Sequence, residues 1–344
     1  MAKAKKLPSG SWRVQVSTGE KDEKGKYKYI SITAPSEKEA NLAALEFELK
    51  HKEIAQNPAN ITLSEAMQKY IDIKSNVLSP STIRGYQIIH RNNLKTLMQM
   101  KLSKINNNLI QSAINDEARA LSPKTVKNIY VLLSAVMNVY YPDLRLKITL
   151  PQSEKRMITL LSHEQLSELI RAVNDTDIEV PVLLALWLGL RQSEICGLQW
   201  SCVDFDNSII TIKQAKVRDK NGEIVLKTTK TYSSTRKLKV HNFIMDKIKS
   251  LPKNGDFVIN TKGTMIYKKF KRILRNNNLP DIRFHDLRML NASIMLKLKV
   301  PDKYAMDRGG WNTEYTMKKI YQQLFDEERN IVDDTVDSYF ETLL

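Results

Sequence analysis

Leu188-Gly189-Leu190-Arg191-Gln192-Ser193-Glu194-Ile195-Cys196-Gly197-Leu198-Gln199-Trp200 is the stretch on which the rest of the chain turns. The apolar run from 179 to 190 predicts a buried helix that stops at the Gly189-Leu190 step, so Arg191 leaves a rigid frame. A guanidinium held in that way can meet two oxygens of a phosphate. Glu194, one turn on, is placed to pair with Arg191 or a neighbouring donor and so fix its orientation. In isolation the stretch also fits a helix-end arginine bonding the last carbonyls, and the segments around it must decide.

Downstream, residues 283–321 offer His285 and Arg288 three apart on one helical face, the indole of Trp311, and Tyr321. That is a set for binding an anionic group and attacking it. Each piece alone is weak: a histidine before an arginine is common in a basic chain, and a tyrosine among Met317, Ile320 and Leu324 usually packs. Tyr304 and Tyr315 compete with Tyr321, and Lys227 and Lys237 compete with Lys230 as a mobile cation.

The bulk numbers narrow the chemistry. A chain of 344 residues carries two or three domains, and its formal charge of +16 favours a polyanionic partner such as nucleic acid. The two cysteines, Cys196 and Cys202, suit a reducing interior and build neither a disulfide framework nor a zinc site. No apolar run approaches the ~20 residues of a membrane span, and the start of the chain leads into no signal-peptide core. A cytoplasmic protein with no membrane partner is expected. No carboxylate cluster accompanies the basic motifs, so neither a metal nor a cofactor is expected.

Toward the N-terminus, 11–17 and 26–33 alternate in period two across a turn containing Gly25, and a helix follows from Ser36 and Glu39 to about residue 54. Alternation would pack Trp12, Tyr27 and Tyr29 on the helix and leave Arg13, Lys26 and Lys28 on a free face able to enter a DNA groove, as β-ribbon readers do. Residues 60–143 show only helix signals: Thr62 with Glu65, Ser79-Pro80 before Arg84, a helix between Asn108 and Ala120, and Ser122-Pro123 before Lys124 and Lys127. Arg84, Lys124 and Lys127 are candidate phosphate contacts there. Beyond a linker bracketed by Pro142 and Pro151, further helices alternate with strands at 209–212, 224–226 and 236–240, which predict one small antiparallel sheet.

Four segments, in order, resemble the motifs of the tyrosine recombinases, in particular the integrases of temperate phages and conjugative transposons. Residues 188–200 look like their first arginine motif. Lys230-Thr231-Tyr232-Ser233-Ser234-Thr235-Arg236 resembles their β-hairpin lysine motif, His285-Asp286-Leu287-Arg288 the His-x-x-Arg box, and Gly310-Trp311 with Tyr321 the final box and nucleophile. The resemblance extends to the front of the chain. It implies a multidomain α+β protein: an arm-type DNA-binding sheet plus helix over 1–56, an all-α core-type DNA-binding bundle over 60–145, and a mainly α catalytic domain with a small antiparallel β-sheet and a C-terminal tail over 155–344.

By that resemblance Tyr321 attacks a scissile phosphate, forming a 3′-phosphotyrosine and freeing a 5′-hydroxyl without ATP. Arg191 and Arg288 hold the non-bridging oxygens, His285 accepts the phenol proton, Lys230 delivers a proton to the leaving oxygen, and Glu194 supports. Trp311 departs from the histidine of most of the family. Its indole has one donor and no acceptor, so it can hold an oxygen or pack on Tyr321 but cannot shuttle a proton. The implied partners are double-stranded DNA with core-type and arm-type attachment sites, three further copies in a homotetramer on a Holliday junction, an excisionase and a host DNA-bending protein. The implied outcome is integration and excision of a phage genome or mobile element. The rivals are a chromosome-dimer resolvase, a type IB topoisomerase-like enzyme and a non-catalytic DNA-binding protein. The acidic, amphipathic tail beyond Tyr321 can pack in cis or on a neighbouring protomer.

Overall fold

The computed structural model describes residues 4–8, 10–21, 26–56, 60–153, 159–228, 235–322 and 325–343. Among these no helix is long and apolar enough to cross a membrane. The fold is α+β with small antiparallel sheets, and the chain divides into two compact units, residues 1–78 with 85–153 and residues 79–84 with 154–344.

In the first unit, β1 (Lys5–Lys6), β2 (Trp12–Lys21) and β3 (Tyr27–Ala34) form an antiparallel sheet in that order, followed by α1 (Glu37–Gln56). Val14 and Val16 pair with Ile32 and Ile30 and pack with Ala40 and Ala44 of the helix. The tyrosines correct the expectation. Ser17 pairs with Tyr29 and Arg13 with Thr33, and cross-strand partners share a face, so Tyr29 is on the same face as Arg13, away from α1. Tyr27 and Tyr29 are 54% and 61% exposed. Ile30 and Ile32 claim the inward parity, which puts Lys28 on it as well, although at the strand end it remains exposed. Lys26 is exposed too, and the Gly25 turn lies outside the described residues.

The helical part of the chain from 60 to 145 comprises α2 (Leu63–Lys74), α3 (Pro80–Asn92), whose first turn belongs to the second unit, α4 (Lys95–Met98), α5 (Asn107–Ala120) and α6 (Pro123–Tyr140). The caps stand where the sequence put them. Glu65 N donates to Thr62 Oγ1 while Thr62 N donates to Glu65 Oε2, a complete capping box, and Ser122 accepts from Thr125 N ahead of Pro123. Leu63, Met67, Ile71, Ile110, Ile114, Ile129 and Leu132 are buried in the core. Lys124 and Lys127 are exposed on α6, and Arg84 is half-buried on α3. The short α4 was not anticipated, and part of the 56–60 linker lies outside the described residues.

The second unit opens with α7 (His163–Val173), capped by the Ser162 and Gln165 box, and α8 (Glu179–Trp187), buried along nearly its whole length. There follow α9 (Gln192–Gly197), β4 (Val203–Asp204), β5 (Ile209–Ile212), β6 (Gln214–Arg218), β7 (Ile224–Thr228) and β8 (Arg236–Lys239). Then come α10 (Asn242–Lys249), α11 (Gly263–Asn276), α12 (Asp286–Lys297), α13 (Asp302–Gly309), α14 (Glu314–Thr316) and α15 (Asp326–Glu341). The strands form two sheets, β4-β5-β8 and a separate β6-β7 hairpin, where one sheet was expected. The reason is β6: Gln-Ala-Lys-Val-Arg carries little apolar alternation and becomes a strand by pairing its backbone with β7. One continuous core runs under α7 to α12 and the three-stranded sheet.

Candidate active site

The first arginine is placed by how α8 ends. Gly189 has φ +65, and a Cβ there would lie 2.6 Å from Asn291 Oδ1. Glycine is therefore required twice over, for the left-handed backbone and for the close approach of α12. Asn291 Nδ2 donates to the carbonyls of Leu186 at 2.9 Å and Trp187 at 3.1 Å, satisfying helix-end acceptors that α8 itself leaves open. Arg191 is thus freed from capping duty. It stands in extended conformation just before α9, and its backbone N and Nη1 donate to Glu194 at 3.0 and 2.8 Å. Nη2 reaches the Gly310 carbonyl at 3.5 Å.

Glu194 is also held from the other side by Arg236, whose Nη2 donates to Oε2 at 2.9 Å. Arg236 sits on the inward parity of β8, paired with Ile212 and only 5% exposed. Burial alone would raise the Glu194 carboxyl, but the Arg236 charge and hydrogen bonds, then Arg191, outweigh it and bring it down to about 2. The carboxylate is therefore charged at neutral pH. Sequence reasoning gave Arg236 no role, though a signal was present: an arginine on the apolar parity of a strand needs a buried counter-charge.

Arg288 is fully buried, with its Nη1 donating to the Gly189 carbonyl. Its Nε and Nη2 have no partner among the described residues. The guanidinium carbon lies 4.5 Å from the Trp311 ring centre and 5.1 Å from that of Tyr321. Burial, then the Arg191 charge, bring Arg288 down to about 10, which leaves it cationic at neutral pH. Arg191 and Arg236 both pair with Glu194, whereas Arg288 feels that carboxylate only through its charge, and the surplus of positive charge with the unpartnered Nε and Nη2 is a socket for an anion.

Tyr321 closes a π-helical turn, Met317–Tyr321, which continues α14. Such turns add a residue to the helical repeat and re-aim the side chains beyond them. The Tyr321 hydroxyl lies 3.3 Å from His285 Nε2, and its ring is 5.2 Å from that of Trp311. Trp311 is buried with Ala292, Met295, Ala305 and Met317, and its Nε1 has no partner among the described residues. His285 is exposed at the start of α12, though partly desolvated by the protein around it. That desolvation first, then the charges of Arg288 and Arg191, lower its pKa below the usual histidine value. A neutral imidazole beside a phenol can accept its proton.

Of the expected set, Arg191, Glu194, His285, Arg288, Trp311 and Tyr321 come together at one place, although they span more than a hundred residues of chain. Lys230 and the rest of its motif up to Ser234 lie outside the described residues. Tyr304 and Tyr315 are surface residues, 71% and 64% exposed. The tail forms α15, with Ile331, Val332, Val336, Tyr339 and Phe340 all exposed and its start tied to α12 by Lys297 and Glu328 at 3.0 Å.

Comparison with known proteins gives the same architecture. Residues 159–328 match the model of the phage integrase family. A tyrosine recombinase XerC-like protein of Caldanaerobacter subterraneus is 24% identical across an alignment covering 96% of both chains. Among solved structures, the Tn1549 transposon integrase bound to transposon right-end DNA covers 80% of this chain and 100% of its own, at 18% identity and a TM-score of 0.66. A lambda integrase tetramer on a Holliday junction covers 93% of this chain and 95% of its own, at 16% identity and a TM-score of 0.58.

Proposed function

The chain belongs to the tyrosine recombinases, in their integrase branch, and so cuts and rejoins DNA at specific sites; we propose that it does so with Tyr321 as nucleophile inside the Arg191, His285, Arg288 and Trp311 socket. One observation carries this reading: the buried Arg288, with two unpartnered donors, lies against the ring of a tyrosine whose hydroxyl faces a histidine of lowered pKa. A scissile phosphate seated there meets nucleophile, base and charge stabilisation together.

The phenol of Tyr321 gives its proton to neutral His285 as its oxygen attacks phosphorus. A Tyr321 oxygen–phosphorus bond forms and the bond to the 5′-oxygen breaks, leaving a 3′-phosphotyrosine. Arg191 and Arg288 hold the non-bridging oxygens as charge builds on them. The indole N–H of Trp311 adds a donor to one of these oxygens or backs the phenol ring. Lys230, assigned by its motif, protonates the departing 5′-oxygen. Reversal, with a 5′-hydroxyl from another strand attacking the phosphotyrosine, rejoins the DNA, so the bond energy is conserved and no cofactor enters.

The first unit supplies the DNA grip. The open sheet face with Arg13 and Tyr29 reads arm-type sites, with Lys26 and Lys28 at its rim. The helices of 60–145, with Arg84, Lys124 and Lys127, share core-type sites with residues 155–344. Four copies act on two sites through a Holliday junction, with an excisionase and a host bending protein setting direction, to integrate and excise a phage genome or mobile element.

A nicked suicide duplex, its sequence taken from the junctions the enzyme forms in cells, tests the assignment. The wild type should accumulate a covalent protein–DNA adduct and Tyr321→Phe none. An adduct that persists in Tyr321→Phe defeats the nucleophile assignment.

A further inference from the structure

Arg236 lies at the end of the lysine motif, yet its side chain is buried against Glu194 and the Arg308 carbonyl. We propose that Arg236 is the positioning residue for Arg191, acting through Glu194, and that cleavage depends on it although it touches no reacting atom. The proposal rests on the reading of Arg191 as a phosphate clamp.

The geometry forms a chain of constraint. Arg236 is fixed by the register of β8 on β5, by its Nε donating to the Arg308 carbonyl at 3.1 Å, and by its bond to Glu194 at 2.9 Å. It has no space to swing: Gly310, at φ +66, approaches so closely that a Cβ there would lie 2.7 Å from Arg236 Nη1. With the side chains of Arg236 and Glu194 only 3% and 6% exposed, this pair is a buried, rigid unit. Arg191, by contrast, has a side chain 38% exposed and is steered by the Glu194 oxygen at 2.8 Å.

An i, i+3 pair at a surface is worth little and leaves a long side chain mobile. A carboxylate immobilised from behind is different, because the partner no longer has to be ordered when Arg191 meets phosphate. Arg236 also touches the carbonyl just before Gly309-Gly310-Trp311, and Arg191 reaches the Gly310 carbonyl. The same guanidinium therefore ties the first arginine motif to the turn that carries Trp311. Its functional signature is selective: it should matter in proportion to the charge that Arg191 must hold.

The test compares full-length wild type, Arg236→Gln, Arg236→Lys and Arg191→Ala on two nicked suicide duplexes. One has an ordinary scissile phosphodiester. The other has a methylphosphonate there, in which a methyl group replaces a non-bridging oxygen and removes its charge. Arg236→Gln should slow cleavage of the phosphodiester about 10- to 100-fold, the loss seen when the partner that orients a metal-binding side chain is removed, and leave the methylphosphonate rate nearly unchanged. Arg236→Lys keeps the buried charge but cannot span Glu194 and the Arg308 carbonyl, so it should show the same selectivity with a smaller loss, and it serves if the glutamine variant does not fold. Equal losses on both duplexes, or no loss, would overturn the proposal while Arg191→Ala still shows selective loss. Absence of selectivity in Arg191→Ala as well defeats the clamp reading itself.

Discussion

Replacing Arg288 by methionine should make the free protein more stable while ending cleavage. The side chain is fully buried, and its Nε and Nη2 lack partners among the described residues. Each unpaired buried donor costs about 1–3 kcal/mol. Against that stand the bond to the Gly189 carbonyl, worth about 1 kcal/mol, and the contacts with the Trp311 and Tyr321 rings, worth about 0.5–2 kcal/mol. Methionine fills similar volume, packs on both rings and removes the repulsion with Arg191. Taken at their midpoints these terms favour the variant by about 2 kcal/mol. A thermal scan of the second unit's transition reads this as a rise of roughly 2–4 °C per kcal/mol. Sulfate, a phosphate mimic that also stabilises folded proteins generally, should raise the wild-type midpoint more than the variant's by binding the folded socket. A lower midpoint for Arg288→Met, or equal sulfate shifts for both proteins, would refute the idea that the socket is built at the expense of stability.

The lowered pKa of His285 leaves it neutral at pH 7 and able to take the phenol proton, so the rate of adduct formation at limiting DNA should fall only as pH drops below the usual histidine range. His285→Gln should remove that acid limb. Glu194→Gln leaves Arg191 and Arg236 without their shared charge and should destabilise the unit by about 3–5 kcal/mol in denaturant melts. In the wild type the stability contributed by this carboxylate should be whole above pH 4.5 and fade as pH falls toward about 2. Trp311→His should still form the covalent adduct, because imidazole retains a donor. Trp311→Ala opens a cavity behind Tyr321 and should cost about 3–5 kcal/mol of stability, together with most of the cleavage rate.

Much of this was written locally in the chain. Capping boxes at Thr62 and Ser162, the apolar run before Gly189, and the i, i+3 pairing of His285 with Arg288 depend on residues within one or two helical turns, so their chemistry is visible without the fold. The order of the motifs carried the family, and with it Arg191, His285, Arg288 and Tyr321. What stayed hidden depended on distant partners. Glu194 meets Arg236 across 42 positions and Tyr321 meets His285 across 36, distances over which composition and periodicity say nothing. The tyrosines of the first sheet looked like core by residue type, but Ile30 and Ile32 bind the helix more favourably, and period two then turned Tyr27 and Tyr29 outward. β6 looked like loop because backbone pairing, rather than side-chain alternation, makes it a strand. The sequence by itself determined which groups are the candidates for the chemistry. The tertiary structure alone decided which buried charges hold them, since desolvation and ion pairing act only once the chain has closed around them.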